Sequence, residues 1–158
     1  MLTLAITGGV QEVLKGLQEL ERHTRDWRPF FERYGTDHLR PKWRAWMDSE
    51  GSGQWAPLSP RYAAYKAQRY PGKKILQREG TLRQSFEESG AYGITRLEER
   101  QAEYGTSAPS AIFHQCGTRT MPQRQVVVFD AEDKKALIQM AAAYMAEMAR
   151  EVGVGGRK

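Results

Sequence analysis

The chain has 158 residues, of which 40% are hydrophobic, and its single cysteine excludes an intrachain disulfide and a zinc site built on paired cysteines. The net charge of +5 is uneven, because residues 22–83 carry +8 while residues 1–21 and 84–158 carry −2 and −1. No apolar run approaches the roughly 20 residues that cross a bilayer. We therefore expect one soluble domain over residues 1–152, a disordered tail at 153–158, no membrane partner and no cofactor.

The N-terminal third predicts a short strand and two helices. Leu2–Thr7 alternates apolar and polar residues, which is typical of a strand. From Val10 to about Trp27 the apolar residues recur at helical spacing. A second helix is expected to begin at Pro29, whose missing N–H costs nothing in a first turn, and to kink or break near Gly35–Pro41.

The middle of the chain predicts shorter elements. Ser59 is a favourable N-cap with Pro60 at the first helical position, so a helix is expected to start there. Residues 70–74 predict an exposed basic loop. A short helix is predicted over residues 75–86, although the low helix propensity of Gly80 weakens this prediction.

The second half predicts strands and a closing helix. Residues 92–95 and 102–105 read as strands, and the continuous apolar run Val126–Phe129 predicts a strand covered on both faces. Asp130 is a good N-cap for a last helix that ends near Gly153. The pattern predicts an α+β fold with a small, mostly antiparallel sheet packed against N-terminal and C-terminal helices, with long loops.

Two patterns invite a functional interpretation from chemistry alone. His114 and Cys116, two apart, could meet as a nucleophile and its base, but no helix N-terminus is predicted at the thiol to lower its pKa, which favours structural roles. The basic residues of 22–83, interleaved with aromatics, could grip nucleic acid. Because those aromatics recur at helical spacing, a core or a subunit interface is the stronger interpretation. No nucleotide-binding or hydrolase motif occurs.

Four short segments follow one another along the chain in a characteristic order. They are Trp-Ala-Pro-Leu at 55–58, Lys-Ile-Leu with Gly-Thr-Leu-Arg-Gln-Ser at 74–76 and 80–85, Ile-Phe-His-Gln-Cys-Gly at 112–117, and Met-Pro-Gln-Arg at 121–124. In this order they resemble the phage virion morphogenesis family, the tail-completion proteins of contractile-tailed phages and prophages. Three departures stand out: Glu79 replaces a Thr or Ser before the glycine, Phe113 separates Ile112 from His114, and Gln125 replaces a common proline.

The resemblance implies a structural protein and not an enzyme. It implies completion or termination of the tail tube at its head-proximal end and a part in the head–tail joint, as a homohexameric ring. The implied partners are copies of itself, the tail tube or sheath protein and the head connector, with passing contact to DNA. The implied location is the virion tail or neck, with assembly in the host cytoplasm. The alternative is a nucleic-acid-binding module that uses residues 22–83.

The expected site residues are of two kinds, with no catalytic, cofactor-binding or metal-binding residue among them. Motif residues with a scaffold role are Trp55, Pro57, Leu58, Leu76, Gly80, Leu82, Arg83, Ser85, His114, Gln115, Gly117, Pro122 and Arg124. Candidate interface residues are Trp43, Trp46, Arg119 and Met121. Arg124 is expected to clamp a carboxylate or several carbonyls with its fork. The loop 117–123 is expected to be mobile in the free subunit and to become ordered against a neighbour.

Overall fold

A computed structural model describes residues 10–87 and 90–152 of the chain. The predicted strand Leu2–Thr7 and the predicted tail at 153–158 lie outside this part, as does Gly153. The described residues form an α+β fold of helices and one two-stranded antiparallel sheet. None of the helices in this part is both long enough and apolar enough to cross a membrane.

Helix α1 spans Val10–Arg25, and a nearly continuous helical rod follows it. The rod consists of α2 (Arg28–Tyr34), a π-helical segment (Gly35–Leu39) and α3 (Arg40–Asp48). Each proline of the rod sits in a first turn, where its missing N–H leaves no hydrogen bond unmade. A kink or a break was predicted near Gly35–Pro41. No break occurs, because the chain stays helical there, but it changes to the π form over Gly35–Leu39.

Helix α4 spans Pro60–Arg69 and begins as its sequence predicted. The Ser59 hydroxyl accepts a hydrogen bond from the Tyr62 amide, and Pro60 occupies the first turn. The next helix, α5, is only Thr81–Gln84, so the helix predicted over 75–86 is wrong over most of its length. Gly80 explains the shorter helix, because it precedes α5 in the left-handed conformation at a φ of 86°.

Strands β1 (Gly93–Leu97) and β2 (Ala102–Thr106) form an antiparallel hairpin that pairs Gly93 with Thr106 and Leu97 with Ala102. The hairpin confirms the strands predicted here. Tyr104 fixes it to the helical rod, since its hydroxyl donates to the Phe31 carbonyl. The ring lies so close to Gly35 that a Cβ there would approach it to 2.5 Å, so this contact requires glycine.

Two elements of the second half differ from expectation. Ile112 and Phe113, for which no helix was predicted, lie in helix α6 (Ala111–Cys116). Val126–Phe129, predicted as a covered strand, is irregular chain. Val126 is buried, as predicted, and is 1% exposed. The backbone of residues 126–128, however, is hydrogen-bonded by side chains and not by a neighbouring strand. An apolar run alone does not reveal such partners.

The last helix, α7, spans Ala131–Glu151 and begins with a complete capping box. The Asp130 carboxylate accepts from the Glu132 and Asp133 amides, and Asp133 accepts in return from the Asp130 amide. Asp133 is fully buried and also accepts from Lys42 at 2.6 Å and bonds the His38 ring at 2.9 Å. Burial disfavours the Lys42 ammonium, but its hydrogen bonds to both aspartates outweigh this and raise its pKa.

The core is built around the helical rod. Trp43 meets Phe86 edge to face at 5.3 Å, and Tyr144 of α7 packs on Phe30 at 5.6 Å. The buried apolar residues are Phe30, Tyr34, Leu39, Trp43, Met47, Trp55, Leu82, Phe86, Ala108, Ala111 and Val126. The rod therefore supplies the centre against which the loops carrying the four motifs are fixed.

Candidate functional site

One groove of about 460 Å³ brings the four motif segments together. Its lining comes from residues 57–59, from Tyr62 and Lys66 of α4, from Leu76 and residues 78–82, from Ser110 just before α6 and His114 within it, and from residues 120–122 and Arg124. We call it the motif groove. Segments that are spread over some seventy positions of sequence thus form one surface feature, and their common location is the strongest indication of a functional site in the described residues.

The first motif is anchored by Trp55. Its indole is buried and its Nε1 donates to the Gln125 carbonyl at 3.1 Å, while the Trp46 indole donates to the same oxygen at 2.8 Å. Gly51 leaves room for the Trp55 ring, because a Cβ at position 51 would lie 2.4 Å from that ring. Its φ of 69° also favours glycine. Burying a large indole while pairing its N–H is how tryptophan anchors a loop.

The fourth motif clamps the first. Arg124 is 5% exposed, and its guanidinium donates from Nε to the Ala56 carbonyl at 2.9 Å and from Nη2 to the Pro57 carbonyl at 3.0 Å. Its own amide donates to the His114 carbonyl at 2.8 Å. Of the two roles expected for this fork, the structure shows the clamp on carbonyls. Burial lowers the pKa of Arg124.

The third motif holds the irregular chain after Arg124. The Gln115 side-chain oxygen accepts from the amides of Val126 and Val127 at 2.9 and 3.0 Å, and its Nε2 donates to the Val127 carbonyl at 3.0 Å. One side chain thereby replaces part of a strand ladder. Gln115 thus satisfies three backbone groups of the irregular chain.

Gly117 ends α6 in a conformation that other residues avoid, with φ 72° and ψ 175°. A Cβ at this position would lie 2.9 Å from the Gln123 amide nitrogen and 3.2 Å from the Met121 carbonyl oxygen. Both conformation and space therefore require glycine. The loop that follows closes on itself where the Thr118 amide donates to the Met121 carbonyl at 2.8 Å.

The second motif forms the opposite wall. Leu82 and Ser85 are buried, and the Ser85 hydroxyl donates to the Leu82 carbonyl at 2.7 Å. Arg83 forms a bidentate pair with Asp48, both contacts at 2.8 Å, which anchors α5 to the end of α3. The hydrogen bonds from Arg83 stabilise the charged carboxylate and lower the pKa of Asp48 to about 2, although partial burial acts in the opposite direction.

The structure gives no support to a cysteine nucleophile. Cys116 is exposed at the C-terminal end of α6, where the helix dipole does not favour a thiolate, and the hydrogen bonds of the described residues include none between it and His114. Burial, with the nearby Arg124 charge, lowers the pKa of His114. Its Nδ1 is the one buried side-chain nitrogen or oxygen among the described residues that has no hydrogen-bond partner.

The four candidate interface residues occupy different settings. Trp43 is 4% exposed and donates to the Val128 carbonyl, so it is a core residue and its assignment to an interface was wrong. Trp46 is partly buried, Arg119 is exposed, and Met121 lines the motif groove. Helical spacing of aromatics indicates a covered face without saying whether the cover is the same chain or another.

Sequence reasoning missed several residues of the motif groove as site residues. Lys66 is 5% exposed although nine of the ten residues of α4 are exposed, and its ammonium donates to the Lys74 carbonyl. Arg78 and Glu79 form an exposed ion pair at 2.7 Å on the rim. A lysine between Tyr65 and Ala67 on a helix gave no sign of burial, whereas the atypical Glu79 was a visible signal.

Comparison with known proteins gives one match. The model of the phage virion morphogenesis family matches residues 9–146, a range that contains all four motif segments. No curated protein and no solved structure matches the chain at a significant level.

Proposed function

The chain belongs to the phage virion morphogenesis family, and on that premise we propose that it completes or terminates the phage tail tube at its head-proximal end. In this proposal it forms a homo-oligomeric ring, of six subunits to match the usual tail symmetry, within the head–tail joint of the virion. The tail tube or sheath protein lies on one side of the ring and the head connector on the other, and DNA passes through. Assembly takes place in the host cytoplasm.

The observation that carries the proposal is the presence of two separate exposed apolar patches. Ile112 and Phe113 of α6 are 61% and 54% exposed, and we call them the α6 patch. Phe129 and Ile138, at the N-terminal end of α7, are 49% and 68% exposed, and we call them the α7 patch. Large apolar side chains that stay exposed together are typical of protein contacts, and the proposal takes the two residues of each patch to share one contact.

A closed ring needs two unlike surfaces on each subunit. Every subunit presents one surface to the neighbour ahead and the other to the neighbour behind, and the rotation between them closes the ring. Phe129 lines a second groove, of about 410 Å³, which shares no lining residue with the motif groove. Its walls include Phe31, Tyr104 and Leu137, so it is an apolar acceptor for side chains such as those of the α6 patch.

The experiment is a measurement of solution mass by light scattering after size exclusion, on wild type and on F113S and I138S. We expect wild type to form one discrete oligomer that persists at high salt, because apolar contacts are not screened. Each variant alone should be smaller. Mixed together, the two variants retain one intact pair of surfaces, so they should form a dimer. Y92S is the matched control, since Tyr92 is an exposed aromatic outside both patches.

A wild-type monomer at every salt concentration would contradict a ring that forms before it meets the tail tube. Loss of mass in Y92S equal to that in F113S would show that any exposed aromatic matters, and would remove the argument for the two patches. Failure of the mixed variants to dimerise would mean that the interface is not built from one α6 patch and one α7 patch.

A second candidate is nucleic-acid binding by the exposed face of α4. Tyr62 and Tyr65 are exposed on this helix with their rings 6.0 Å apart, and Arg61 and Arg69 lie exposed beside them. Aromatic and basic side chains in this combination stack on bases and contact phosphates. A rise of mass with short duplex DNA at low salt, lost steeply as salt increases, would favour this candidate.

We propose that the loop 117–123 becomes ordered against a neighbouring subunit on assembly. Arg119 and Pro122 are exposed in the subunit, while Met121 partly lines the motif groove. Hydrogen exchange of this loop should be fast in an isolated subunit and slow in the oligomer. Equal protection in both states would contradict it.

A further inference from the structure

The floor of the motif groove holds two buried cations whose hydrogen bonds, in the described residues, reach no carboxylate. Lys66 and Arg124 are each 5% exposed, and their hydrogen bonds go to main-chain carbonyls. In the described residues neither forms an ion pair. A buried charge is costly unless an opposite charge accompanies it, and carbonyl oxygens meet only part of that need.

The cost of burying these two charges shifts the pKa values of Lys66 and Arg124. Burial lowers the pKa of both Lys66 and Arg124, because removal from water disfavours the charged form. At Lys66 the negative charge of Glu50 opposes this effect but does not outweigh it. His114, on the wall of the same groove, keeps its buried Nδ1 without a partner. An anion placed in the groove would compensate both cations.

The walls and rim define what kind of anion fits. The walls are largely apolar and include Leu58, Leu76 and Met121. On the rim, Arg78 adds a third cation and Glu79 is the one acid in the lining. The groove therefore offers a positive floor between apolar walls, which matches a carboxylate flanked by apolar side chains.

We propose that the motif groove binds an acidic side chain of a partner protein in the tail or neck, presented on an extended apolar segment. This rests on the proposed function, because it names the chemistry of one contact that the ring makes with its neighbours in the particle. The carboxylate lies over Lys66 and Arg124, Arg78 approaches it from the rim, and Tyr62 of α4 covers the segment from outside.

A protein segment fits better than nucleic acid. Phosphate backbones are bound by exposed lysines and arginines in rows, with release of counterions. Here two of the three cations are buried in the floor of the groove, so they do not form an exposed row that a phosphate backbone could follow. Tyrosine and arginine with apolar walls are instead the composition of protein contact sites.

The test is isothermal titration of the full chain with two short peptides, both acetylated and amidated. One has the sequence Gly-Leu-Glu-Leu-Gly, and the other has Gln in place of Glu. We expect the acidic peptide to bind about tenfold more tightly, the difference between a charge-assisted and a neutral hydrogen bond. R78E should remove most of that preference, and E79Q should strengthen binding several-fold, because it removes the competing acid.

R44E is the matched control, because Arg44 is exposed on α3 and lies outside the groove lining, so it should bind as wild type does. Arg78 and Glu79 are exposed, so neither change threatens the fold. Equal binding of the two peptides, or no binding at millimolar concentration, would overturn the proposal. Binding of a short DNA duplex that R78E abolishes, with no peptide binding, would assign the groove to nucleic acid instead.

A fall in the mass of the oligomer in R78E, with no peptide binding, would show that a second copy of the chain covers the groove, which also overturns the proposal. The patch variants test the ring independently. If F113S and I138S leave the mass unchanged while the acidic peptide still binds, the ring fails and the groove stands. If the ring forms and the acidic peptide does not bind, the proposal for the groove fails and the ring stands.

Discussion

The guanidinium of Arg124 donates to the carbonyl of Ala56 at 2.9 Å, across 68 positions of sequence. This hydrogen bond joins the last motif to the first and lies beneath the motif groove. Because a second nitrogen of the same fork reaches the Pro57 carbonyl, the position of one loop is set by the other. The two loops therefore behave as one rigid wall.

Replacing this fork by an ammonium should weaken the wall. In R124K the charge remains, but a lysine cannot reach two successive carbonyls in the same fixed geometry, so at least one buried carbonyl loses its partner. We expect the free energy of unfolding in urea to fall by about 2 kcal/mol. R119K is the matched control on the exposed loop and should change it by less than about 0.5 kcal/mol. Equal effects of the two changes would contradict the clamp.

Removing the side chain of Gln115 should expose a different weakness. Q115A leaves the amides of Val126 and Val127 and the Val127 carbonyl without their partners. We expect a loss of about 3 kcal/mol in unfolding free energy, measured by urea denaturation. Q101A, which shortens an exposed glutamine in the hairpin turn, should be nearly neutral. A loss below that of R124K would mean that water replaces these contacts.

Two glycines separate backbone strain from steric clash. Gly53 and Gly117 both have a positive φ, but a Cβ at Gly53 would meet nothing within 4 Å, whereas at Gly117 it would lie 2.9 Å from the Gln123 nitrogen. We expect G53A to cost about 1 kcal/mol and G117A about 3 kcal/mol. Thermal unfolding of the two variants provides the comparison, and similar melting temperatures would show that the loop after Gly117 yields easily.

Acid should weaken the pair between Asp48 and Arg83. The folded protein lowers the pKa of Asp48 from 3.8 to about 2, so the folded state keeps the carboxylate charged where the unfolded chain takes up a proton. Its contribution to stability is therefore complete above about pH 4 and is lost as the pH falls towards 2. Since the side chain is 40% exposed, solvent screening keeps that contribution below about 1 kcal/mol.

The measurement is the urea midpoint of wild type and D48N across this pH range. The difference between the two proteins should be constant near neutral pH and should vanish at the acid end. A difference that stays constant down to pH 2 would show that Asp48 acts through packing and not through its charge.

Local signals predicted the helix starts well. Ser59 with Pro60, and Asp130 with two acids in the next turn, are patterns whose hydrogen bonds lie within a few residues, so the sequence contains all the partners. The same holds for the hairpin. The chain 126–129 was predicted wrongly because its partners, Gln115 and Trp43, come from distant positions that no periodicity reveals.

The candidate site was predictable in parts but not as a site. The ordered motifs indicated Trp55, Gln115, Gly117 and Arg124, each of which has a specific contact in the structure. That the four segments form one groove could not be predicted, because convergence depends on the tertiary packing. Lys66 was missed for the same reason, since its burial follows from the loops that cover it.

Three of the four tryptophans donate their indole N–H to the same short stretch of backbone. Trp46 and Trp55 reach the carbonyl of Gln125, and Trp43 reaches that of Val128. Indole emission depends on the polarity around the ring and on the partner of its N–H. The intrinsic fluorescence of the protein is therefore a direct optical signal of whether residues 125–128 are in place, and no attached dye is needed to follow this segment.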